Sequence, residues 1–446
     1  MKKLSNFEDV NKIYFIGIGG ISLSSLASIL NTLGYSVFGS DAIKSEITEK
    51  LFKNNIKVYI SHHTKNIKKV QPDLVVYSLA IKQNNPELVW ARNNNIKCLE
   101  RAEFINLLLN NYKNVISVSG SHGKTTVTSM ISEIFVLANL KPTVHIGGES
   151  VNLNSNYICG DNNFFITEAC EYKRSFLKFN STVGVILNIE EDHPDCYKNI
   201  DEVQKAFDDF SSICKKVVIN NKYNTINNNK ITFIDKNSNF YAKNIRKLKN
   251  GGYSFSVIKN GQFFDRFRLN IFGKHNVLNA LASICVADYY NIDKQIIKKA
   301  LFDFKGIKRR FENVKSNKIL GDIYFDYAHH PTEIKKLIEE VKSLNKPIIC
   351  VFQPHTYSRT KKYFNEFLTS FLGVYQTIFY KTYSAREKKS AGKTAKDLFN
   401  KLKTRQDCYY YTNFKKVIKH LKKYAKQDMV ILFVGAGDIY NIKNLL

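Results

Sequence analysis

The sequence predicts an α/β protein of three domains. Three observations carry that prediction. Short apolar runs alternate with stretches of helical period along most of the chain. Two of the strand-to-helix joins, at residues 17–22 and 120–126, are Gly-rich. The length, 446 residues, corresponds to two to four domains at roughly 100–200 residues each.

The elements follow in order. Lys12–Ile18 is a short apolar run ending in glycines, and Leu23, Leu26, Ala27 and Leu30 then recur on one helical face. Gly34 stops that helix, Tyr35–Gly39 forms a second strand running into Ser40 and Asp41, and Asp73–Ser78 forms another. Residues 1–110 are therefore expected to be one small doubly wound domain. A second strand, Val115–Ser119, leads through a glycine loop into a helix with Val127, Met130, Ile131, Ile134, Phe135 and Ala138 on its apolar face. Strands are expected at Phe164–Ala169, Val183–Asn188 and Val217–Asn220, with a helix over Asp201–Ile213 and a surface loop at Asn220–Asn229. Tyr253–Ile258 and Gln262–Phe272 read as a hairpin turning at Asn260 and Gly261, before a helix over His275–Tyr290. This central domain is assigned residues 111–312. Over 313–446 five strands alternate with helices, including a helix over Lys361–Leu372, which argues a mostly parallel third sheet.

Composition excludes several classes. At 44% hydrophobic and 13% aromatic the chain is too apolar for disorder, and 21 Gly with 7 Pro exclude a collagen-like or linker-dominated sequence. No run of about 18 apolar residues is present, so no membrane span is expected. The eight cysteines include no C-x-x-C pair, so neither a zinc site nor a disulfide framework is signalled. A cytoplasmic enzyme with reduced thiols fits. The formal net charge of +28 invites a nucleic-acid reading, but only 11 of the 67 basic residues are arginine. The excess of Lys, Asn, Ile, Tyr and Phe is what an AT-rich genome produces. No nucleic-acid or membrane partner is expected, and the protein is expected to be a monomer or homodimer.

Two loops carry the phosphate chemistry. Gly17, Ile18, Gly19, Gly20, Ile21 and Ser22 lie between a strand and a helix, where backbone N–H groups and the helix dipole hold a diphosphate. Ser22 replaces the third glycine of the dinucleotide fingerprint, and Asp41 falls near a ribose-binding acid; a general nucleotide-diphosphate site fits better than an NAD site. Gly120, Ser121, His122, Gly123, Lys124, Thr125 and Thr126 form the stronger signal, a phosphate loop with a lysine for the γ-phosphate and hydroxyls for Mg²⁺. Val118 stands where the first glycine of the usual pattern would be.

Acidic and His-bearing strand ends follow at Glu168 and Glu171 (TEACEY) and at 188–193 (NIEEDH). Strand ends converge with the phosphate loop at one sheet edge, so metal binding is expected there. Further polar clusters are FGKHNVLN at 272–279, KRRFE at 308–312, DYAHHP at 326–331, QPHTYSRT at 353–360 and GAGD at 435–438. His62 and His63 read as surface residues.

In this order the motifs GIGGIS, GSHGKTT, EACEYKRSFL, NIEEDHPD, HNVLNALA, KRRFE, DYAHHPTE, QPHTYSRT and GAGD resemble those of the Mur ligases, over about residues 13–438. Within that family the chain is most similar to the branch that adds L-alanine to UDP-N-acetylmuramate in peptidoglycan synthesis. The resemblance implies an N-terminal Rossmann-like UDP-binding domain, a central ATPase and a C-terminal Rossmann-like domain. It also implies ATP and Mg²⁺, and an acyl phosphate that the amine of L-alanine displaces. Thr125, Glu168 and His193 would hold Mg²⁺; His275, Asn276 and Asn279 would lie by the adenine, with Arg310 and Asp326 reaching it or the phosphates. Lys124 would neutralise the transferred phosphoryl, and His330, His355 and Arg359 would face the amino acid, one of the histidines serving as base. EACEY departs from the EADES-type run of many relatives but keeps both glutamates.

Overall fold

The computed structural model describes residues 7–191, 196–249, 251–385 and 387–446. The chain divides into two compact units, residues 1–305 and 306–446, which are taken in turn.

The first unit opens with β1 (Lys12–Ile16), α1 (Ile21–Thr32), β2 (Ser36–Asp41), α2 (Glu46–Lys53), β3 (Lys57–Ile60), α3 (Thr64–Val70), β4 (Leu74–Tyr77), α4 (Pro86–Asn93), β5 (Lys97–Glu100) and α5 (Arg101–Leu109). The five strands are parallel in the order β3-β2-β1-β4-β5. That order reverses at β1, so the strand ends beside it open the crevice where such sheets take ligands. Ile13, Tyr14, Phe15 and Ile16 are wholly buried, as are Leu26, Ala27 and Leu30 of α1, each large apolar side chain contributing about 1.5–3 kcal/mol. β1 stops at Ile16, two residues short of the apolar run, because Gly17 takes φ +85°. The N–H groups of Gly17 and Ile18 then turn to the carbonyl of Ser40, at 2.8 and 3.0 Å.

A ten-stranded sheet follows, built from β6 (Asn114–Ser119), β7 (Thr143–Ser150), β8 (Ser155–Ile158), β9 (Phe164–Glu168), β10 (Val183–Ile186), β11 (Lys216–Asn220), β12 (Lys230–Phe233), β13 (Phe240–Lys247), β14 (Tyr253–Lys259) and β15 (Gln262–Leu269). Its order is β15-β14-β13-β12-β11-β10-β6-β9-β7-β8, parallel from β13 to β7 and antiparallel at both margins. Helices α6 (Lys124–Leu137), α7 (Ile200–Ser212), α8 (His275–Tyr289) and α9 (Lys294–Asp303) complete the unit. α6 packs on α8 and α9, which sets the start of α8 beside the phosphate loop. The Asn-rich loop lies at the surface as expected and is also tied down: Asn227 Nδ2 donates to the carbonyls of Ser211 and Cys214, at 2.8 and 2.9 Å.

The second unit has β16 (Glu312–Val314), β17 (Asp322–Asp326), α10 (Pro331–Lys342), β18 (Ile348–Phe352), α11 (Tyr357–Lys362), α12 (Phe364–Thr369), β19 (Gln376–Tyr380), α13 (Ala395–Leu402), β20 (Cys408–Tyr411), α14 (Phe414–Tyr424) and β21 (Val430–Val434). The sheet order is β16-β17-β21-β18-β19-β20, parallel except for β16. This gives six strands instead of the five expected; β16 is three residues long and carries no apolar alternation. The helix expected over Lys361–Leu372 is two short ones. Tyr363 leaves helical geometry (φ −104°, ψ 28°) and sets its ring against His330, centroids 4.5 Å apart. Among the described residues no helix is long and apolar enough to cross a membrane, and no cysteine is in a disulfide.

Candidate active site

The phosphate loop joins β6 to α6. Gly120 (φ +138°) and Gly123 (φ +88°) occupy backbone space that L side chains rarely enter. A Cβ on Gly123 would lie 2.8 Å from Asn279 Oδ1, and one on Gly120 would lie 3.1 Å from the Asn188 nitrogen. No side chain caps α6, the arrangement in which a helix start can take an anion. The loop is braced from the end of β10. Asn188 accepts from the Ser121 and His122 N–H groups, at 3.1 and 2.7 Å, and donates to the His122 carbonyl at 3.0 Å. Ser121 Oγ exchanges hydrogen bonds with the backbone of Glu190, and His122 Nε2 stands 3.3 Å from Glu190 Oε2.

Lys124 begins α6 and points back across the loop. Its Nζ donates to the Gly120 carbonyl at 2.5 Å and to both oxygens of Glu171, at 3.1 and 3.0 Å. Burial pulls the ammonium down, but Glu171 above all reverses this and the pKa is pushed up to about 12. Thr125 and Thr126 follow, half-buried. Glu168 ends β9 and accepts the Gly147 N–H at 2.6 Å. His193 lies outside the described residues. At the start of α8, Asn279 Nδ2 donates to Asn276 Oδ1 at 2.9 Å and Asn276 Nδ2 to the Phe272 carbonyl at 2.8 Å. Both are buried and His275 is exposed. The structure thus brings the α8 motif to the phosphate loop through Asn279.

In the N-terminal loop Gly19 donates to Asp41 Oδ2 at 2.9 Å, so Asp41 holds the loop as well as flanking it. Gly20 precedes α1, which again has no side-chain cap. Ile18 is buried, and Ile21 is the first residue of α1, so the loop offers a ligand mainly backbone. Ser22 does something the motif does not show. Its Oγ accepts from Arg101 Nη1 at 3.2 Å and contacts His145 Nε2 at 2.9 Å. His145 Nδ1 contacts Thr167 Oγ1 at 2.9 Å, and that hydroxyl donates to the Glu168 carbonyl at 3.1 Å. Each hydroxyl has one proton, so the directions are fixed: Arg101 to Ser22 to His145 Nε2, and His145 Nδ1–H to Thr167 to Glu168. Burial, with Arg101 nearby, lowers the His145 pKa to about 4, which keeps the ring neutral as this chain requires. Neither Arg101 nor His145 was legible as a site residue; a single histidine in an apolar strand reads as core.

His62 corrects a sequence expectation. It is not a plain surface residue: its Nδ1 lies 2.9 Å from Ser40 Oγ and 3.2 Å from Glu87 Oε2. Glu87, fully buried, also accepts from Tyr14 Oη at 2.9 Å, Ser40 Oγ at 2.5 Å and Asn66 Nδ2 at 3.0 Å. Burial pushes its pKa up, but the donors, His62 first, outweigh this and hold it below the usual range. An acid in the first turn of a helix is ordinary dipole chemistry, so Glu87 carries no distinctive signal in the sequence.

The second unit presents its polar residues at the ends of β17 and β18. Asp326 accepts the Phe311 and Ala328 N–H groups, both at 2.8 Å; burial raises its pKa, with Arg310 opposing. Arg309 donates to the Gly437 carbonyl at 2.7 Å, and the Arg310 guanidinium stands 5.2 Å from the Tyr327 ring centre. Gln353, wholly buried, accepts from the Ile439 N–H and donates to Asp438 Oδ1, at 2.9 and 2.6 Å. Three imidazoles share the rim. His330 caps α10, His355 stacks on Tyr383 at 5.5 Å, and His329 meets the His355 ring at 5.8 Å. Arg359 Nη1 donates to His355 Nδ1 at 3.4 Å. Burial first, then His329 and Arg359, lowers the His355 pKa to about 4.

Comparison with known proteins identifies the family. Residues 12–113 match the Mur ligase family catalytic domain, 118–287 the Mur ligase middle domain, and 309–437 the Mur ligase glutamate ligase domain. The chain belongs to the Mur ligase family. Mur ligases use ATP, as the phosphate loop demands. Among curated Mur ligases, the UDP-N-acetylmuramate–L-alanine ligase of Clostridium tetani is 45% identical over 98% of both chains. That of Clostridium acetobutylicum is 41% identical over 97% of this chain and 96% of its own. The crystal structure of the Thermotoga maritima UDP-N-acetylmuramate–alanine ligase superposes with a TM-score of 0.86 at 28% identity, covering 97% of each chain. A murein peptide ligase from Psychrobacter arcticus, 22% identical with a TM-score of 0.72, shares the Mur ligase fold.

Proposed function

We propose that this chain is an ATP-dependent acid–amino-acid ligase that joins L-alanine to the lactyl carboxylate of UDP-N-acetylmuramate in peptidoglycan synthesis. The observation that carries the reading is the full-length 45% identity to a ligase of that name. The domain division near residues 110 and 312 and a cytoplasmic setting belong to the same reading.

A carboxylate acylates nothing until it carries a leaving group. The lactyl carboxylate attacks the γ-phosphorus of ATP in line, ADP departs, and an acyl phosphate forms. The amine of L-alanine adds to the acyl carbon, and inorganic phosphate leaves. Gly120 to Thr126 cradle the phosphates, and Lys124 neutralises charge on the transferred group, where positioning and electrostatics supply nearly all the catalysis. Asn276, Asn279 and His275, with Arg310 and Asp326, bind the rest of ATP. Gly17 to Ser22 and Asp41 bind the UDP portion, while His330, His355 and Arg359 receive the amino acid.

The donor chemistry suits Mg²⁺. Among the described residues no three His, Cys, Asp or Glu side chains form a metal cage, and Mg²⁺ needs none, since it takes one or two carboxylates, waters and phosphate oxygens. A Cβ at Gly147 would crowd both Glu168 oxygens at 2.8 Å, so the glycine keeps room for that carboxylate. Glu168 and the Thr125 hydroxyl, with His193, would hold the ion, which when bound neutralises phosphoryl oxygens.

Phosphate release from ATP, measured with UDP-N-acetylmuramate and a panel of amino acids and the stem tripeptide, tests the reading. It is expected only with L-alanine or close analogues, with product mass rising by one alanyl residue. Release driven by the tripeptide and not by L-alanine refutes the substrate assignment.

A further inference from the structure

Three histidines crowd the rim of the second unit, and their Nδ1 partners decide what each Nε2 can do. A backbone N–H only donates, so His330 Nδ1, which receives the Thr332 N–H at 3.3 Å, is unprotonated and the neutral ring carries its proton on Nε2. Arg359 also only donates, so His355 Nδ1 is likewise an acceptor and its Nε2 carries the proton. His329 is the reverse. Its Nδ1 lies 3.1 Å from the Tyr327 carbonyl, which only accepts, so Nδ1 carries the proton and Nε2 keeps its lone pair.

Resting on the functional reading above, we propose that His329, rather than His330 or His355, accepts the proton released as the alanine nitrogen bonds to the acyl carbon. The step balances. The C–N bond forms as the amine lone pair adds, one N–H proton passes to Nε2, and the C–O bond to phosphate breaks with its electron pair on the leaving phosphate. The imidazolium then returns its proton to solvent. His355, as an Nε2–H donor, and Arg359 suit the carboxylate and phosphoryl oxygens instead, while the Nε2 of His330 is buried against Tyr363.

The surroundings support this division. The His329 side chain is 22% exposed and therefore reachable. Glu333, Tyr327, His355, Arg359 and Arg310 are the charged or titratable groups around it. Burial lowers its pKa, Glu333 opposes this, and the guanidiniums assist, so the ring is neutral at physiological pH. Glu333 is a poor competitor as base, because its Oε2 already accepts the backbone N–H groups of His329 and His330, at 3.0 and 3.2 Å. A base oriented by a hydrogen bond at its other nitrogen is the usual arrangement for a working histidine.

The test separates the two half-reactions in the full-length enzyme. Acyl phosphate made from UDP-N-acetylmuramate and ATP without amino acid is trapped by borohydride reduction; amide formation is followed with L-alanine. His329→Asn keeps an N–H able to reach the Tyr327 carbonyl but has no basic nitrogen. Acyl phosphate formation is expected within about two-fold of wild type, with kcat for amide formation lowered about 100-fold or more and KM for L-alanine little changed. Added imidazole should raise amide formation by His329→Ala. Amide formation by His329→Asn within about three-fold of wild type overturns the assignment. So does equal loss of both half-reactions in both variants with no rescue by imidazole. A wild type that makes no acyl phosphate overturns the functional reading itself.

Discussion

Lys124 Nζ sits 3.0 and 3.1 Å from the two carboxylate oxygens of Glu171, so the residue that would meet the γ-phosphate is already held by a buried anion. The pair has two separable consequences. Lys124→Ala should abolish phosphate release and also lower the unfolding midpoint, because it strands a buried carboxylate at a cost of about 3–5 kcal/mol. Adding Glu171→Gln should recover much of that stability and none of the activity, read by thermal unfolding beside the phosphate assay. A double variant no more stable than Lys124→Ala would show that Glu171 is not what the lysine stabilises.

The chain from Arg101 to Glu168 predicts non-additive behaviour. Ser22→Ala and Thr167→Val each leave one nitrogen of buried His145 without its hydroxyl, costing about 1–3 kcal/mol. Thr167→Ser, which keeps the hydroxyl, should cost less than Thr167→Val. Denaturant unfolding of Ser22→Ala, Thr167→Val and their combination should give a coupling term, since all three residues share one network. Strict additivity would deny that the hydrogen bonds act together.

Acid should weaken the fold through two histidines, opposed in part by Glu133, whose carboxyl pKa burial pushes up to about 7. His145 and His355 have folded pKa values of about 4, against an unfolded value near 6.5. Their neutral forms are matched to the fold above the unfolded value. As pH falls from about 6.5 toward 4 the unfolded state takes up protons that the folded state does not, and stability drops through that window. Unfolding midpoints between pH 7 and 4 measure this. The slope should flatten in His355→Asn.

Salt gives the net charge of +28 its own test. Both proposed substrates, ATP and a UDP-sugar acid, are polyanions that a positive field helps to capture. Raising ionic strength from about 0.05 to 0.5 M should increase KM for both while changing kcat little. KM values that stay flat would leave the charge as composition alone.

The sequence made legible what depends on local pattern. The alternation of strands and helices, the two glycine loops and the third parallel sheet were all readable, because burial imposes period 2 or 3.6 on the residues that carry it. Residues whose role depends on distant partners were hidden. His145 meets Ser22 across 123 positions, Glu87 meets Tyr14 across 73, and neither separation leaves a trace in a window of local sequence. His62 was misread for the same reason. β16 was missed because three residues cannot display a period.

The Glu87 cluster also bears on how the first sheet reaches its arrangement. Tyr14 stands on β1, Ser40 on β2 and His62 just beyond β3, and one carboxylate from α4 collects a donor from each. In a strand, slipping by a single residue turns every side chain to the opposite face. A slip in β1 or β2 would remove a donor and leave a charged carboxylate under-solvated in the interior. Glu87 therefore works as a register lock: the alignment of β1 and β2 seen here is the one that gives this carboxylate a donor from each strand.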